Sequence, residues 1–209
     1  NLNRIFGIDP GKAKTSIVGD VVDIARISVD DFRFRLINYP GRLRLMGKGT
    51  VIPEDAIDYN DLDLSISLKA HGFRLHDHCF SFSADELLAS EKSGCTIYGE
   101  GYMKFGASET KMTGLHLVDD LSDVRVPLLR FSYKDLKALK DICSAVRIQA
   151  KISPSVLDFR TLAWLVPALK GNTFRPRLSG EVDGYVDDLR IGQLSFLDEG
   201  SGTSLSTSL

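Results

Sequence analysis

The sequence predicts a mostly β protein built on an antiparallel sheet, with one or two short helices. Apolar and polar residues alternate over many short segments, as they do on strands that have one buried face. Turn-forming stretches such as SEKSG and DEGSG separate these segments at short intervals. Helical periodicity is confined to two stretches. Short connections between alternating strands are typical of antiparallel pairing.

Composition and charge narrow the class of protein further. Of the 209 residues, 43% are hydrophobic and 26% are charged, which is an ordinary balance for a folded domain. The net charge is −2 and the sequence pI is about 6.1, so we expect no nucleic-acid partner. No run of about eighteen apolar residues is present, and the sequence therefore predicts no membrane-spanning segment within this chain.

The clearest strand of the first half is LDLSISLKA at 62–70, which follows the predicted strands FRFRL and LRLMGKGTV. Period-two alternation places one apolar row on a single side of this strand. That row consists of Leu62, Leu64, Ile66, Leu68 and Ala70, and the opposite row consists of Asp63, Ser65, Ser67 and Lys69. The segments CFSFS, TIYGEGYMKF, TGLHLVD and DVRVPLLRF also predict strands, while SADELLAS is ambiguous between a strand end and a helical turn.

The last third of the chain repeats the same alternation. In AVRIQAKI the apolar row is Val146, Ile148, Ala150 and Ile152. In LSGEVDGYVDDLRIGQLSFLDE it is Leu178, Val182, Leu189 and Ile191. The Ser- and Thr-rich tail SGTSLSTS indicates one more strand.

Two helical insertions are predicted, near 132–143 and near 155–166. Ser132 is the expected N-cap of the first and Ser155 that of the second. Pro167 limits the second helix, and Gly171 closes the segment.

Glycine interrupts several predicted strands, in LMGKGTV, IYGEGYM and LSGEVDG. Glycine inside a strand usually marks a bulge, a bend or a close approach of two backbones. Repeated units of this kind predict a sheet that curves continuously.

The chain shows no domain boundary, so we expect one β-rich segment over 1–209. Because it begins at Asn1 and ends within a strand-like pattern, we also expect it to be an internal piece of a longer protein. Three cysteines at wide spacing do not form a disulfide framework, and we expect small buried thiols. A contact between Cys79 and Cys95 across a hairpin is the alternative.

No motif predicts catalysis, a metal site or a cofactor, and we expect the protein not to be an enzyme. GIDPGKAKTS resembles the first strand and loop of RNase H-like resolvases, with Asp9 as the metal ligand, but the β-rich context favours a turn at Pro10 and Gly11. His71, His76 and His78 could bind zinc in principle. Their spacing matches no closed zinc motif, and we expect surface histidines at a hairpin turn.

The second half carries a family resemblance. VRIQAKISPSVLDFRTLAWLVPAL, LSGEVDGYVDDLRIGQLSF and GSGTSL resemble the TamB-like members of the AsmA-like superfamily, in the style found in Bacteroidetes, over about residues 40–209. These motifs are patterns of apolar spacing and glycine. The resemblance implies an open, curved antiparallel sheet shaped like a gutter. It also implies a periplasmic segment of an inner-membrane-anchored protein of a Gram-negative bacterium.

The same resemblance implies a function. Phospholipid acyl chains would lie on the apolar face during transport between the inner and outer membranes, and an Omp85-type outer-membrane protein would be a partner of the parent chain. The expected acyl-binding residues are Leu62, Leu64, Ile66, Leu68, Val146, Ile148, Ile152, Leu178, Val182, Leu189 and Ile191. The pattern alone also permits a β-sandwich in which the same rows form a dry core, and a protein- or glycan-binding module is the alternative function.

Overall fold

The computed structural model describes residues 21–37, 56–58, 61–165, 169–198 and 200–207. Ten strands form one antiparallel sheet in which spatial order follows chain order, so that each strand pairs with the next. The strands are β1 Val22–Ile37, β2 Asp61–His76, β3 Cys79–Glu91, β4 Thr96–Phe105, β5 Glu109–Val118, β6 Asp123–Tyr133, β7 Val146–Val156, β8 Arg177–Tyr185, β9 Asp188–Asp198 and β10 Thr203–Ser206. The first and last strands lie at opposite edges, and the sheet is open.

This architecture confirms the predicted fold class. SADELLAS belongs to β3, and the Ser- and Thr-rich tail forms β10. LRLMGKGTV and the Pro10–Gly11 turn lie outside the described residues. The described segments contain a single sheet, and the β-sandwich alternative is therefore wrong for that part of the chain.

The strand register sorts the side chains into two faces with opposite chemistry. Phe32 lies beside Ile66, and Ile66 lies beside Ala89, so the apolar rows of neighbouring strands meet on what we call the apolar face. On the other side Arg33 lies beside Ser65, and Arg147 lies beside Ser132. This second side is called the polar face.

The centre of the apolar face is a buried row that crosses four strands. It consists of Ala84, Met103, Leu115 and Val126, each at most 9% exposed. The residues packed against this row are Leu68, Phe82, Leu87, Phe105, Met112, Leu117, Val124 and Leu129. The strand register places all of these residues on the apolar face. The hydrophobic core is therefore formed by contacts among side chains of this one face.

A line of register shifts crosses the sheet near mid-strand. The shifts fall between Val29 and Phe32 in β1 and between Ala84 and Leu87 in β3, and they continue through β4–β5, β7 and β9. Gly101 lies on this line with φ +144°, and a Cβ there would stand 3.0 Å from Leu115 Cα. Gly180 faces the shift in β9. Glycine within these strands thus marks bulges, as the sequence predicts, and bulges bend and twist a sheet.

Both helices are shorter than predicted and begin later. The first insertion contains a 3-10 turn at Ala138–Asp141 and a single turn α1 at Ile142–Ala145, and the second contains α2 at Phe159–Leu165. Ser132 and Ser155 are strand residues and do not cap helices. Both serines remain paired within the sheet. Asp158 is the N-cap of α2 instead, because its carboxylate accepts a hydrogen bond from the Arg160 amide at 2.9 Å.

Cys79 and Cys95 are free thiols: Cys79 is the first residue of β3, and Cys95 lies in the turn beyond its other end, so the alternative of a contact across a hairpin is wrong. Burial raises the pKa of the Cys95 thiol to about 11. Within the described ranges, no helix has the length and apolar character needed to cross a membrane.

Candidate functional site

The predicted acyl-binding residues all lie on the apolar face, in two separate groups. Leu62, Leu64, Ile66 and Leu68 belong to β2, and the other seven belong to β7–β9. Ala150 and Ile191 flank Val182, so the second group is continuous across three strands. The buried central row joins the two groups. Sequence reasoning missed this row because its four residues come from four strands with different local patterns, although TIYGEGYMKF does carry Met103 in the correct alternation.

Exposure increases from the centre of the apolar face towards both edge strands. Near β1, Phe32 is 48% exposed and Phe34 is 41% exposed. Near β10, Ile191 is 47% exposed and Leu205 is 56% exposed. Val146 is fully buried, so this predicted lining residue belongs to the core and is not accessible to a ligand. The accessible apolar surface therefore lies on the two flanks.

One strand end of the apolar face is aromatic. The rings of Phe80 and Phe105 stack at 4.7 Å, and Phe73 and Phe82 extend the row on either side. Tyr133 lies at the end of this row, where its hydroxyl donates a hydrogen bond to Gly106 O at 2.8 Å. These contacts create a rigid apolar border beside the β2–β3 and β4–β5 turns.

The opposite strand end, called the capped end, is a buried polar network built around α2. Ser122 Oγ lies 2.7 Å from Thr161 Oγ1 and accepts a hydrogen bond from the Asp158 amide at 2.9 Å. The Arg160 guanidinium donates to both carboxylate oxygens of Asp158. These bonds hold the pKa of the buried Asp158 carboxyl below its usual range. The polar groups of Ser122, Asp158, Arg160 and Thr161 thus satisfy one another, and the network holds α2 against the sheet.

The polar face is covered with pairs of opposite charge on neighbouring strands. Arg33 contacts Asp63 at 2.8 Å, Arg147 contacts Asp183 at 2.7 Å, and Lys151 contacts Glu181 at 2.9 Å. Hydrogen bonds from Arg147 hold the pKa of the Asp183 carboxyl below its usual range. Charged rows of this kind are solvated, and covering them with an apolar layer would cost free energy.

The histidines do not assemble a metal site. His76 and His78 flank Asp77 at the exposed β2–β3 turn, where Asp77 and His78 both have positive φ, as we expected for surface turn residues. His71 lies five residues earlier on β2, 2.8 Å from the Asp85 carboxylate on β3. No group of three or more metal-binding side chains occurs in the described part of the chain. Asp9 lies outside that part.

Comparisons with known proteins returned no match: no protein-family model, no curated protein and no solved structure is similar to this chain.

The apolar face is long as well as partly exposed. At about 3.3 Å per residue, strands of 10 to 16 residues such as β4 and β2 give an apolar surface about 33–53 Å long. Its accessible flanks carry alkyl and aromatic side chains. Such side chains offer hydrophobic contacts along the strands and no directional hydrogen bonds.

Proposed function

We propose that the apolar face binds phospholipid acyl chains in a non-catalytic periplasmic segment. The segment would take part in phospholipid transport between the inner and outer membranes and in outer-membrane biogenesis. One observation carries the proposal: the sheet is strongly apolar on one side, and its flanks remain exposed because no second sheet covers them in the described segments.

The exposed apolar side chains of the two flanks make it energetically favourable for a binding partner to cover them. Burial of each methylene contributes about 0.8 kcal/mol, so a flank carrying several half-exposed Phe, Leu and Ile side chains gains free energy when an alkyl chain covers it. Soluble proteins rarely keep large continuous apolar patches unless these bind something. The exposed residues of the flanks are Phe32, Phe34, Leu36, Leu189, Ile191 and Leu205.

An alkyl chain fits this surface better than a glycan does. Glycan sites need converging hydrogen-bond donors and acceptors. The charged side chains of β2 and β7–β9 other than Asp198 lie on the polar face, and the flank residues named above carry no hydrogen-bonding side chains. The Asp198 carboxylate is buried at the strand end, where it accepts hydrogen bonds from the Arg175 and Ser201 amides. The ligand is therefore best matched by a hydrocarbon whose polar headgroup stays in water.

The resemblance to TamB-like proteins supports the cellular role. It is the basis for proposing an inner-membrane anchor elsewhere in a longer parent protein, and for an Omp85-type outer-membrane partner. The polar face is compatible with an aqueous compartment such as the periplasm, because its charges are paired across neighbouring strands.

Site-specific photocrosslinking in cells tests this function. A photoreactive residue replaces Ile66 or Ile148, with Ser67 and Gln149 as half-buried controls one position away on the polar face. We expect phosphate-containing lipid adducts at Ile66 and Ile148 and none at the controls. Equal yields on both faces, or no adducts from folded and expressed protein, would contradict the proposal.

Lipid retained during purification gives an independent test. Ile191 and Ser195 are both exposed on β9 but lie on opposite faces. We expect Ile191→Arg to lower the phospholipid bound per mole of protein, since a charge is introduced on the flank, while Ser195→Arg leaves it unchanged. A phosphate assay on extracted lipid measures both variants, and equal retention would count against a role for this flank.

A further inference from the structure

An open depression of about 680 Å³ lies on the polar face near the line of bulges. It crosses β1–β5, and its lining includes Asp30, Asp85, Glu86 and Glu100, which lie at or beside the shifts in their strands. Bulges turn the flanking side chains away from the regular alternation. The depression is therefore a product of the same irregularities that bend the sheet.

An apolar row lies inside this depression, among the charged side chains of the polar face. Leu88, Tyr98 and Val118 are direct neighbours on three adjacent strands. Tyr98 is 54% exposed, which makes it the most accessible member of the row. These three side chains contribute nothing to the core, because the core cluster lies on the apolar face.

The border of the row is acidic. The lining contains four carboxylates, from Asp30, Asp85, Glu86 and Glu100, and one ammonium group, from Lys69, so acidic side chains outnumber basic ones. Lys69 pairs with Glu86 at 2.6 Å. The Glu100 side chain remains 59% exposed, and its contact with His116 is long, at 3.4 Å. Negative potential beside exposed aromatic surface attracts a cation that carries its own apolar group.

We propose that this depression docks a segment of a partner protein in which a basic side chain is adjacent to an aromatic or aliphatic one. The apolar side chain would cover Tyr98 and Val118, and the basic group would approach Glu100. A small molecule would bury too little of its surface in so open a site, whereas an extended peptide contacts the row and its acidic border together. The site lies on the face opposite to the proposed lipid surface and does not depend on that function.

Titration with short peptides tests the proposal on this chain. The probes are acetyl-Arg-Leu-Arg-Tyr-amide and two matched controls, acetyl-Arg-Ser-Arg-Ser-amide and acetyl-Glu-Leu-Glu-Tyr-amide. We expect saturable binding of the first peptide alone, with NMR shift changes confined to residues around Tyr98 and Val118. Binding should weaken as salt increases, because part of the attraction is between exposed charges.

Variants of this chain distinguish binding at a specific site from nonspecific attraction between an acidic surface and a basic peptide. Tyr98→Ala and Glu100→Gln are each expected to weaken binding about fivefold, which corresponds to the loss of one aromatic or one ionic contact. Tyr102→Ala is the matched control, since Tyr102 lies on the same strand and face but outside the depression, and it should bind as the parent does. Ile191→Arg should also leave peptide affinity unchanged.

Three results would overturn the proposal. The first is equal binding of the Ser-containing or acidic peptide. The second is binding that persists unchanged in folded Tyr98→Ala and Glu100→Gln proteins, or shift changes on the apolar face. The third is the absence of saturable binding by the basic, apolar peptide.

Discussion

The apolar face and the polar face share every strand of the sheet, but their side chains are satisfied in different ways. On the polar face, opposite charges from neighbouring strands meet in pairs such as Arg147–Asp183 at 2.7 Å and Lys151–Glu181 at 2.9 Å. On the apolar face, the central row is buried while the flanks, including Ile191 at 47% exposure, are left open. The charges of the polar face are paired across strands and solvated, whereas large hydrophobic side chains remain exposed on the flanks of the apolar face.

The difference in exposure also means that different residues are expected to determine folding stability and ligand binding. The buried centre of the apolar face holds the sheet together, and its exposed flanks add little to folding free energy because they remain in water. The exposed ion pairs contribute little as well, since both charges are solvated in the unfolded chain. Substitutions at matched positions on the two faces should therefore differ widely in effect.

The largest difference is expected at two adjacent residues of β7. Val146 is fully buried on the apolar face, and Arg147 is exposed on the polar face. Val146→Asp should lower the free energy of unfolding by about 4 kcal/mol, because it buries an unpaired charge. Arg147→Ala should leave the denaturation midpoint almost unchanged. Urea unfolding followed by circular dichroism measures both, and similar midpoints would show that Val146 is not a core residue.

Two glycines of the β8–β9 hairpin give the next largest contrast. A Cβ on Gly184 would lie 2.2 Å from Asp188 O, and the residue has φ +140°, whereas a Cβ on Gly192 meets no atom within 4 Å. Gly184→Ala should destabilise the protein by about 2–3 kcal/mol. Gly192→Ala should change stability by less than about 1 kcal/mol. Thermal unfolding compares the two, and an equal loss would contradict the close approach at Gly184.

The buried polar network at the capped end predicts a pH dependence. The pKa of Asp158 is lowered by its hydrogen bonds to Arg160, so its stabilising effect is full above the unfolded-state value of about 3.9 and is lost as pH falls through the folded value. Asp158→Asn should cost about 1–2 kcal/mol at pH 7.

The stability curves of the parent and the Asp158→Asn variant should converge as pH decreases below about 4, since the parent loses its charge there. Denaturant titrations at several pH values measure the difference. Asp183→Asn on the polar face serves as the control, because Asp183 is solvent-exposed and its loss should have little effect at any pH. A constant difference across this range would exclude ionised Asp158 as the cause.

The smallest effect is expected for the Arg147–Asp183 pair itself. A double-mutant cycle with Arg147→Gln and Asp183→Asn should show weak coupling at low salt that vanishes near 1 M salt, where the screening length is about 3 Å. Coupling that survives high salt would mean that the polar face contributes to stability as the apolar face does.

The period-two pattern was sufficient to place most elements. It located every described strand from FRFRL onward and assigned Ile66, Ile148 and Ile191 to one face, since side-chain direction follows directly from alternation. It failed at the helix starts because Ser132 and Ser155 have the chemistry of caps but are held by sheet pairing. Local preference is weak against a row of backbone hydrogen bonds.

What the sequence determined by itself is therefore the set of strands, their two faces and the glycine positions that mark bulges. The tertiary structure decided three further features. One sheet forms rather than two, Val146 is buried while Ile191 is exposed, and Leu88, Tyr98 and Val118 meet in the depression on the polar face. The alternation of apolar and polar residues is the same in a β-sandwich and in an open sheet, because it shows only that one face of each strand is apolar. What covers that face depends on contacts between strands far apart in the chain, and no local pattern contains them.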